Sequence, residues 1–314
     1  MISATPRRWA LHRTFHHSQF PPQRVAAERE ATVSVCLPAR NEAATIGTIV
    51  DCLTPLVDQG VIDQLVVVDD STDGTADIAR AGGAEVHDQS SLCPEFGPVQ
   101  GKGDAMWRAL TVLRGDVVCY LDADSECFGA HFAAALAGAV AIPGDVTFAK
   151  AFYRRPLRLD TGIEQPTGGG RVTELTARPL LKAFFPELAE MRQPLAGEIA
   201  AHRALLEQLP FALGYAVDIA LLIDAWHVVG LAGMAQVDLD VRQNRHQPLD
   251  ALGPMAEAVL CAVTDRLRGD RRLTAPADHV PWPQRPAMAT SRRRAQAVGS
   301  SATPASAAVL SHGP

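Results

Sequence analysis

A chain of 314 residues is long enough for one large domain or two modest ones, and its 47% hydrophobic content supports a sizeable core. The formal net charge of -6 excludes a broad basic face of the kind that nucleic acid needs. None of the six cysteines forms a CxxC pair and several lie in apolar runs, so they read as small buried hydrophobes in a reducing compartment, not as a disulfide set or a zinc site.

Residues 1–30 form a basic and aromatic N-terminal arm without the apolar stretch of a secretory signal. At Thr32 the texture changes. "TVSVCLPA" is a β-branched run ending near a proline, the signal of a buried strand. A helix follows, with Ile46, Ile49, Val50 and Leu53 on one face. "DQLVVVDD" is a second strand, followed by a polar turn, a short helix and a glycine stop. "AEVHDQ" is a third strand. After the irregular "SSLCPEFGPVQGKG" come the helix "DAMWRALTVLRG" and a fourth strand, "DVVCYLDAD". The apolar run Phe132 to Ile142 is about half of a membrane span. A cytoplasmic protein without a membrane segment is therefore expected.

From Val146 the pattern is mixed. "VTFAKAFYRRPL" predicts a strand entering a basic loop, and "PTGGGRVTEL" a glycine-rich turn entering a helix. Two more helices flank the Pro/Gly region within 202–230. "GMAQVDLDVRQNRHQPLDAL" predicts a strand ending in a polar loop, and "GPMAEAVLCAVTDRLR" a closing helix. Beyond Gly269 no periodic apolar face remains, which predicts a disordered tail over 270–314.

Strands alternating with helices imply an α/β fold with a mainly parallel sheet flanked by helices. Ligands of such sheets gather beyond the carboxyl ends of the strands. Three polar clusters sit at those ends: Asn41/Glu42, Asp69/Asp70 and Asp122/Asp124. Asp122 and Asp124, two residues apart, can turn toward one ion, and carboxylates suit hard cations such as Mg²⁺ or Mn²⁺. Lys102 stands between glycines at a helix start, where free amides and an ammonium could hold a diphosphate; the P-loop spacing is absent. "GGGRVTEL" offers Arg171 and Thr173 to a phosphate or carboxylate. Asn244, Arg245 and His246 follow a strand, but spacing alone does not mark them as ligands.

In order and spacing, "VSVCLPARNEAATIG", "VVVDDSTDGTADIA", "GKGDAMWRAL" and "CYLDAD" resemble the nucleotide-binding half of a GT-A glycosyltransferase. "RTFHHSQF", "AKAFYRRPL", "TGGGRVTELTARPLL", "QPLAGE", "LPFALGYAVDIALLID" and "AQVDLDVRQNRHQPLDAL" resemble the glucosyl-3-phosphoglycerate synthase family from about residue 10 to residue 265. The resemblance implies a Rossmann-like GT-A fold with a nucleotide-sugar half over 31–145 and a smaller acceptor-binding and dimerisation half over 146–269. It implies a metal-dependent retaining transfer of an α-glucosyl unit from a nucleotide-glucose, usually UDP-glucose, to a hydroxyl of 3-phosphoglycerate, by a homodimer. Pro38, Ala39, Arg40, Glu42, Asp70, Ser71 and Ala123 would lie along the donor, with Lys102 on its diphosphate. Asp122 and Asp124 would hold Mg²⁺ or Mn²⁺. Gly170, Arg171, Val172, Thr173, Tyr215 and His246 would face the acceptor, and Asp218, Asp124 and Lys102 would serve catalysis.

The chain departs from that pattern at four positions. Asn244 stands where the family has a histidine metal ligand, His246 where it has an acceptor-contacting asparagine, and Gln247 where it has a basic residue. Asp218 replaces a glutamate. His246 is thus an alternative third metal ligand. The lost positive charge admits an uncharged acceptor, such as a nucleoside, as a second expectation. A nucleotidyltransferase is disfavoured because its glycine-rich opening with Arg and Lys is missing from "LPARNEAATIG". An inactive binding protein on the same scaffold is the third alternative.

Overall fold

In the computed structural model, residues 5–158, 164–165, 168–243, 248–276 and 278–291 are described. Strands in chain order are β1 (Thr14–His16), β2 (Val33–Ala39), β3 (Gln64–Asp69), β4 (Glu85–Asp88), β5 (Val117–Tyr120) and β6 (Phe148–Arg154). They continue as β7 (Leu157–Arg158), β8 (Glu164–Gln165), β9 (Ile199–His202), β10 (Phe211–Ala212), β11 (Met234–Val241) and β12 (Gln284–Arg285). Eight of them form one sheet in the order β1-β11-β6-β9-β5-β2-β3-β4. Every neighbouring pair is parallel except those of β9, which runs antiparallel to both β5 and β6.

The sheet is buried on both faces because alternate residues of its central strands serve two cores. Val33, Val35 and Leu37 of β2 and Val117 and Cys119 of β5 pack on one side with the helices Ile46–Asp58 and His131–Ala141. Cys36, Val66, Val118 and Tyr120 face the other side, against the helices Gly101–Ala109, Val217–Val229 and Leu249–Gly269. Cys36 and Cys119 are fully buried, and burial pushes their thiols well above the ordinary range, in keeping with inert core cysteines.

Three features differ from the sequence pattern. The N-terminal arm is part of the domain: β1 adds an edge strand beside β11, and Trp9, 2% exposed, donates from its indole to the Met234 carbonyl. β9 lies where the sequence pattern places only the approach to a helix. It is four residues long and alanine-rich, so it carries no period of its own. The tail expectation is corrected for residues 278–291. β12 pairs with β10, the Trp282 indole donates to Leu213 O, and Met288 and Arg285 are buried. Isolated anchors hold this segment, which explains why no periodic apolar face announced it. Among the described residues, no helix is long and apolar enough to cross a membrane.

Candidate active site

One cleft opens at the carboxyl ends of β2, β3 and β5. Pro38, Ala39, Arg40 and Glu42 line it from the end of β2, Asp70 from beyond β3, and Asp122, Ala123 and Asp124 from beyond β5. Lys102 reaches it from the first turn of the helix Gly101–Ala109, and Asp218 from the first turn of the helix Val217–Val229. Tyr215 lies on its rim. Residues far apart in sequence meet because the parallel strands all deliver their C-terminal turns to one edge.

The rim is built by local hydrogen bonds. Asn41 takes a left-handed conformation (φ 60°), and its side-chain oxygen accepts from Thr72 N at 3.1 Å. Ser71 donates to Asp69 and accepts from Asn41 N at 2.7 Å, so it braces the turn and does not line the cleft. Thr45 donates to the Ala123 carbonyl at 2.6 Å, tying the β2 turn to the acidic turn after β5.

Charge dominates the cleft floor. The Lys102 ammonium lies 2.7 Å from Asp122 and 3.3 Å from Asp218. Arg242, just beyond β11, reaches Asp122 at 2.9 Å, Asp124 at 2.5 Å and Glu198 at 2.5 Å. Its guanidinium also donates to the Tyr153 hydroxyl at 2.8 Å, which in turn donates to Glu198 at 2.9 Å. Burial would raise the Asp122 pKa, but Lys102 and Arg242 outweigh it and hold this carboxyl well below the usual range. Burial wins at Glu198 and Asp218, whose pKa values are raised despite Arg242 and Lys102 respectively. The Lys102 pKa is pushed above its ordinary value, because Asp122 and Asp218 overcome the cost of burying it.

The donor set fits a hard divalent cation. Two carboxylates of the Asp-x-Asp turn converge on one guanidinium, so their oxygens already share one cation position, and Asp124 retains 46% side-chain exposure. Among the described residues, no histidine or further acid joins the pair closely enough to make a set of three. Asn244, His246 and Gln247, the third-ligand and acceptor candidates, lie outside the described residues.

Gly170, Arg171, Val172 and Thr173 do not line the cleft. Val172 packs in the core, and Thr173 is buried at the start of a π-helical turn. The glycine turn is nevertheless adjacent to the cleft. Gly169 N donates to Arg155 O at 3.1 Å, a Cβ on Gly169 would meet Arg155, and Arg155 is itself in the cleft wall. Sequence reasoning missed Arg242, Glu198, Tyr153 and Arg155. Arg155 and Arg242 follow β6 and β11, Tyr153 lies near the end of β6, and Glu198 precedes the antiparallel β9, so only the long-range strand order brings the four together.

A mainly parallel α/β sheet with an Asp-x-Asp turn and a lysine over one cleft defines a GT-A-type glycosyltransferase. Residues 34–167 match the family described as Glycosyl transferase family 2. The glucosyl-3-phosphoglycerate synthase of Mycobacterium tuberculosis is 47% identical over 244 residues, 77% of this chain and 75% of that protein. The crystal structure of mannosyl-3-phosphoglycerate synthase from Rubrobacter xylanophilus superposes with a TM-score of 0.84 at 42% identity, covering 92% of this chain and 98% of that one. The M. tuberculosis enzyme in complex with Mn²⁺, UDP-glucose and phosphoglyceric acid gives 0.74 at 41% identity, covering 86% and 94%. The chain belongs to the glucosyl-3-phosphoglycerate synthase family.

Proposed function

We propose that this chain transfers a glucosyl unit from UDP-glucose to the free hydroxyl of 3-phosphoglycerate, with retention at the anomeric carbon and with Mg²⁺ or Mn²⁺ as cofactor. The observation that carries the reading is the convergence of Lys102 and Arg242 on Asp122 in the cleft rimmed by the β2 and β3 turns. The relative in complex with Mn²⁺, UDP-glucose and phosphoglyceric acid supports the same donor, acceptor and metal.

Asp122 and Asp124 would hold the cation, and a bound divalent cation would neutralise charge on the diphosphate. Lys102 supplies a second positive charge where the leaving group becomes negative. Pro38, Ala39, Arg40, Glu42 and Asp70 form the wall for the nucleoside, with Ser71 behind Asp70. In a front-face displacement the bond from the anomeric carbon to the phosphate oxygen breaks as the acceptor oxygen bonds to the same face. The acceptor proton passes to the departing phosphate. Asp218, held beside Lys102, faces the positive charge that develops on the sugar. Arg171 and Thr173 are the acceptor-side candidates, and Arg155 joins the glycine turn that precedes them to the cleft. A homodimer in the cytoplasm is part of the proposal.

Incubation with UDP-glucose, Mn²⁺ and 3-phosphoglycerate tests it, with mass spectrometry of the products. Release of UDP together with a glucosylated phosphoglycerate is expected. Parallel reactions with GDP-mannose as donor, and with a nucleoside as acceptor, separate the mannosyl relative and the uncharged-acceptor reading. A product in either of those, and none with UDP-glucose and 3-phosphoglycerate, overturns the assignment.

A further inference from the structure

A second group of metal-ligating side chains lies away from the cleft, where the N-terminal edge strand meets the end of β11. His16, His17 and Asp240 bring one donor atom each within 4.8 Å of one another. His16 Nε2 is 3.4 Å from Asp240 Oδ1, and His17 Nε2 is 2.7 Å from Asp240 Oδ2. Zinc bonds of ~2.0–2.1 Å at tetrahedral angles place two ligand atoms about 3.3 Å apart, so the His16 separation already suits a shared ion.

The backbone fixes these donors before any ion arrives. His16 is locked by parallel pairing with Asp238. The His17 ring is walled by His16, with centroids 4.3 Å apart, and by His131 at 4.5 Å. Asp240 sits in the irregularity that shifts the β11–β6 register between Asp238 and Val241, and it adopts a left-handed φ of 67°. A bulge of this kind re-aims a side chain, and here the carboxylate turns toward the arm. His16 Nδ1 accepts from Ser18 N at 3.3 Å and lies 2.8 Å from the Ser18 hydroxyl, two contacts that hold the ring with Nε2 turned toward Asp240.

We propose that His16, His17 and Asp240 form a structural site for a divalent cation of the zinc class. Two imidazoles and one carboxylate favour such an ion over Mg²⁺ or Ca²⁺, which prefer oxygen donors alone. Half-exposed His16 and Asp240 leave room for water to complete the shell. The ion would staple edge strand β1 to β11 two residues before Arg242, the residue that grips the acids of the cleft.

Isothermal titration of chelator-treated, full-length protein with Zn²⁺, in the absence of nucleotide, tests the site. Three proteins are compared: the wild type, an Asp122→Asn/Asp124→Asn variant and a His17→Gln/Asp240→Asn variant. One zinc per chain is expected in the first two, with at least tenfold weaker binding in the third. Zn²⁺ should raise the melting temperature only in the first two, and Co²⁺ in place of zinc should give the absorption of a nitrogen-liganded ion. Circular dichroism of the third protein shows whether it is folded, and His16→Gln offers an independent lesion with the same expected loss. Zinc binding that is unchanged in the His17/Asp240 and His16 variants, or abolished in the Asp122/Asp124 variant, overturns the proposal.

Discussion

Lys102 and Asp218 lie 116 positions apart in sequence, yet the ammonium of one stands 3.3 Å from the carboxylate of the other. The same ammonium is 2.7 Å from Asp122. Lys102 thus separates two acids that would otherwise confront each other in a largely buried floor.

Lys102→Met is therefore expected to impair donor binding and turnover together. Loss of one charge-assisted contact costs about 1.5–3 kcal/mol, or about ten- to a hundredfold in kcat/KM. Titration calorimetry with UDP and Mn²⁺ separates the two effects. Unchanged UDP affinity in the variant would remove Lys102 from the diphosphate.

Much of this floor was legible in the sequence, and the reason is local. Asp122 and Asp124 follow an apolar run directly, and Lys102 sits between glycines at a helix start, so each announces itself within a few residues. Arg242 does not. Its role exists only because β11 lies beside β6 and Arg242 follows β11 directly, which brings it to Asp122 from 120 positions away. Glu198 is equally silent, since it precedes the one antiparallel strand between β5 and β6, and that strand has no alternation to betray it. The parallel order could be read from strand–helix alternation; the insertion of β9 into it depends on long-range pairing alone.

Two glycines near Lys102 should respond oppositely to alanine. A Cβ on Gly197 would collide with Lys102 Nζ and with both Asp122 carboxylate oxygens, all at the ends of side chains and none of them backbone. The backbone of Gly197 is outside the left-handed region, so Gly197→Ala should fold, with a melting temperature close to that of the wild type. Its activity should fall about a hundredfold, the usual effect of a displacement of about 1 Å at a reacting centre. On Gly103 the same atom would strike the Ala212 carbonyl, which belongs to the backbone. Gly103→Ala should lose about 1–3 kcal/mol of stability. Urea unfolding and initial rates on both variants check the contrast.

The segment 278–291 braces the helix that carries Lys102. Arg285 makes two 2.7 Å bonds to Asp104, which is fully buried and also accepts from Arg108 at 3.0 Å. Burial would raise the Asp104 pKa, but the two guanidiniums hold it below the usual range. Arg285→Ala leaves a buried carboxylate half paired, at a cost of about 3–5 kcal/mol. Limited proteolysis should then cut within 278–291, and the donor KM should rise with the loosened helix. Resistance equal to that of the wild type would show that β12 is held by other contacts.

Lys150 gives the fold a pH dependence whose sign is fixed by its burial. It is 1% exposed, its ammonium donates to Ala196 O at 2.7 Å and to Asp218 O at 3.3 Å, and burial lowers its pKa to about 8. In the unfolded chain the ordinary value of 10.5 returns, so between pH 8 and 10.5 the unfolded state binds more protons. The stability contributed by this group is complete above the unfolded value and is lost as pH falls through about 8. Relative to Lys150→Met, the wild type should therefore gain about 2–3 kcal/mol between pH 7 and pH 10, measured by urea unfolding at each pH. A difference that stays flat across this window would mean that Lys150 keeps its charge in the fold, and that the carbonyls of Ala196 and Asp218 solvate the ammonium well enough to cancel its burial.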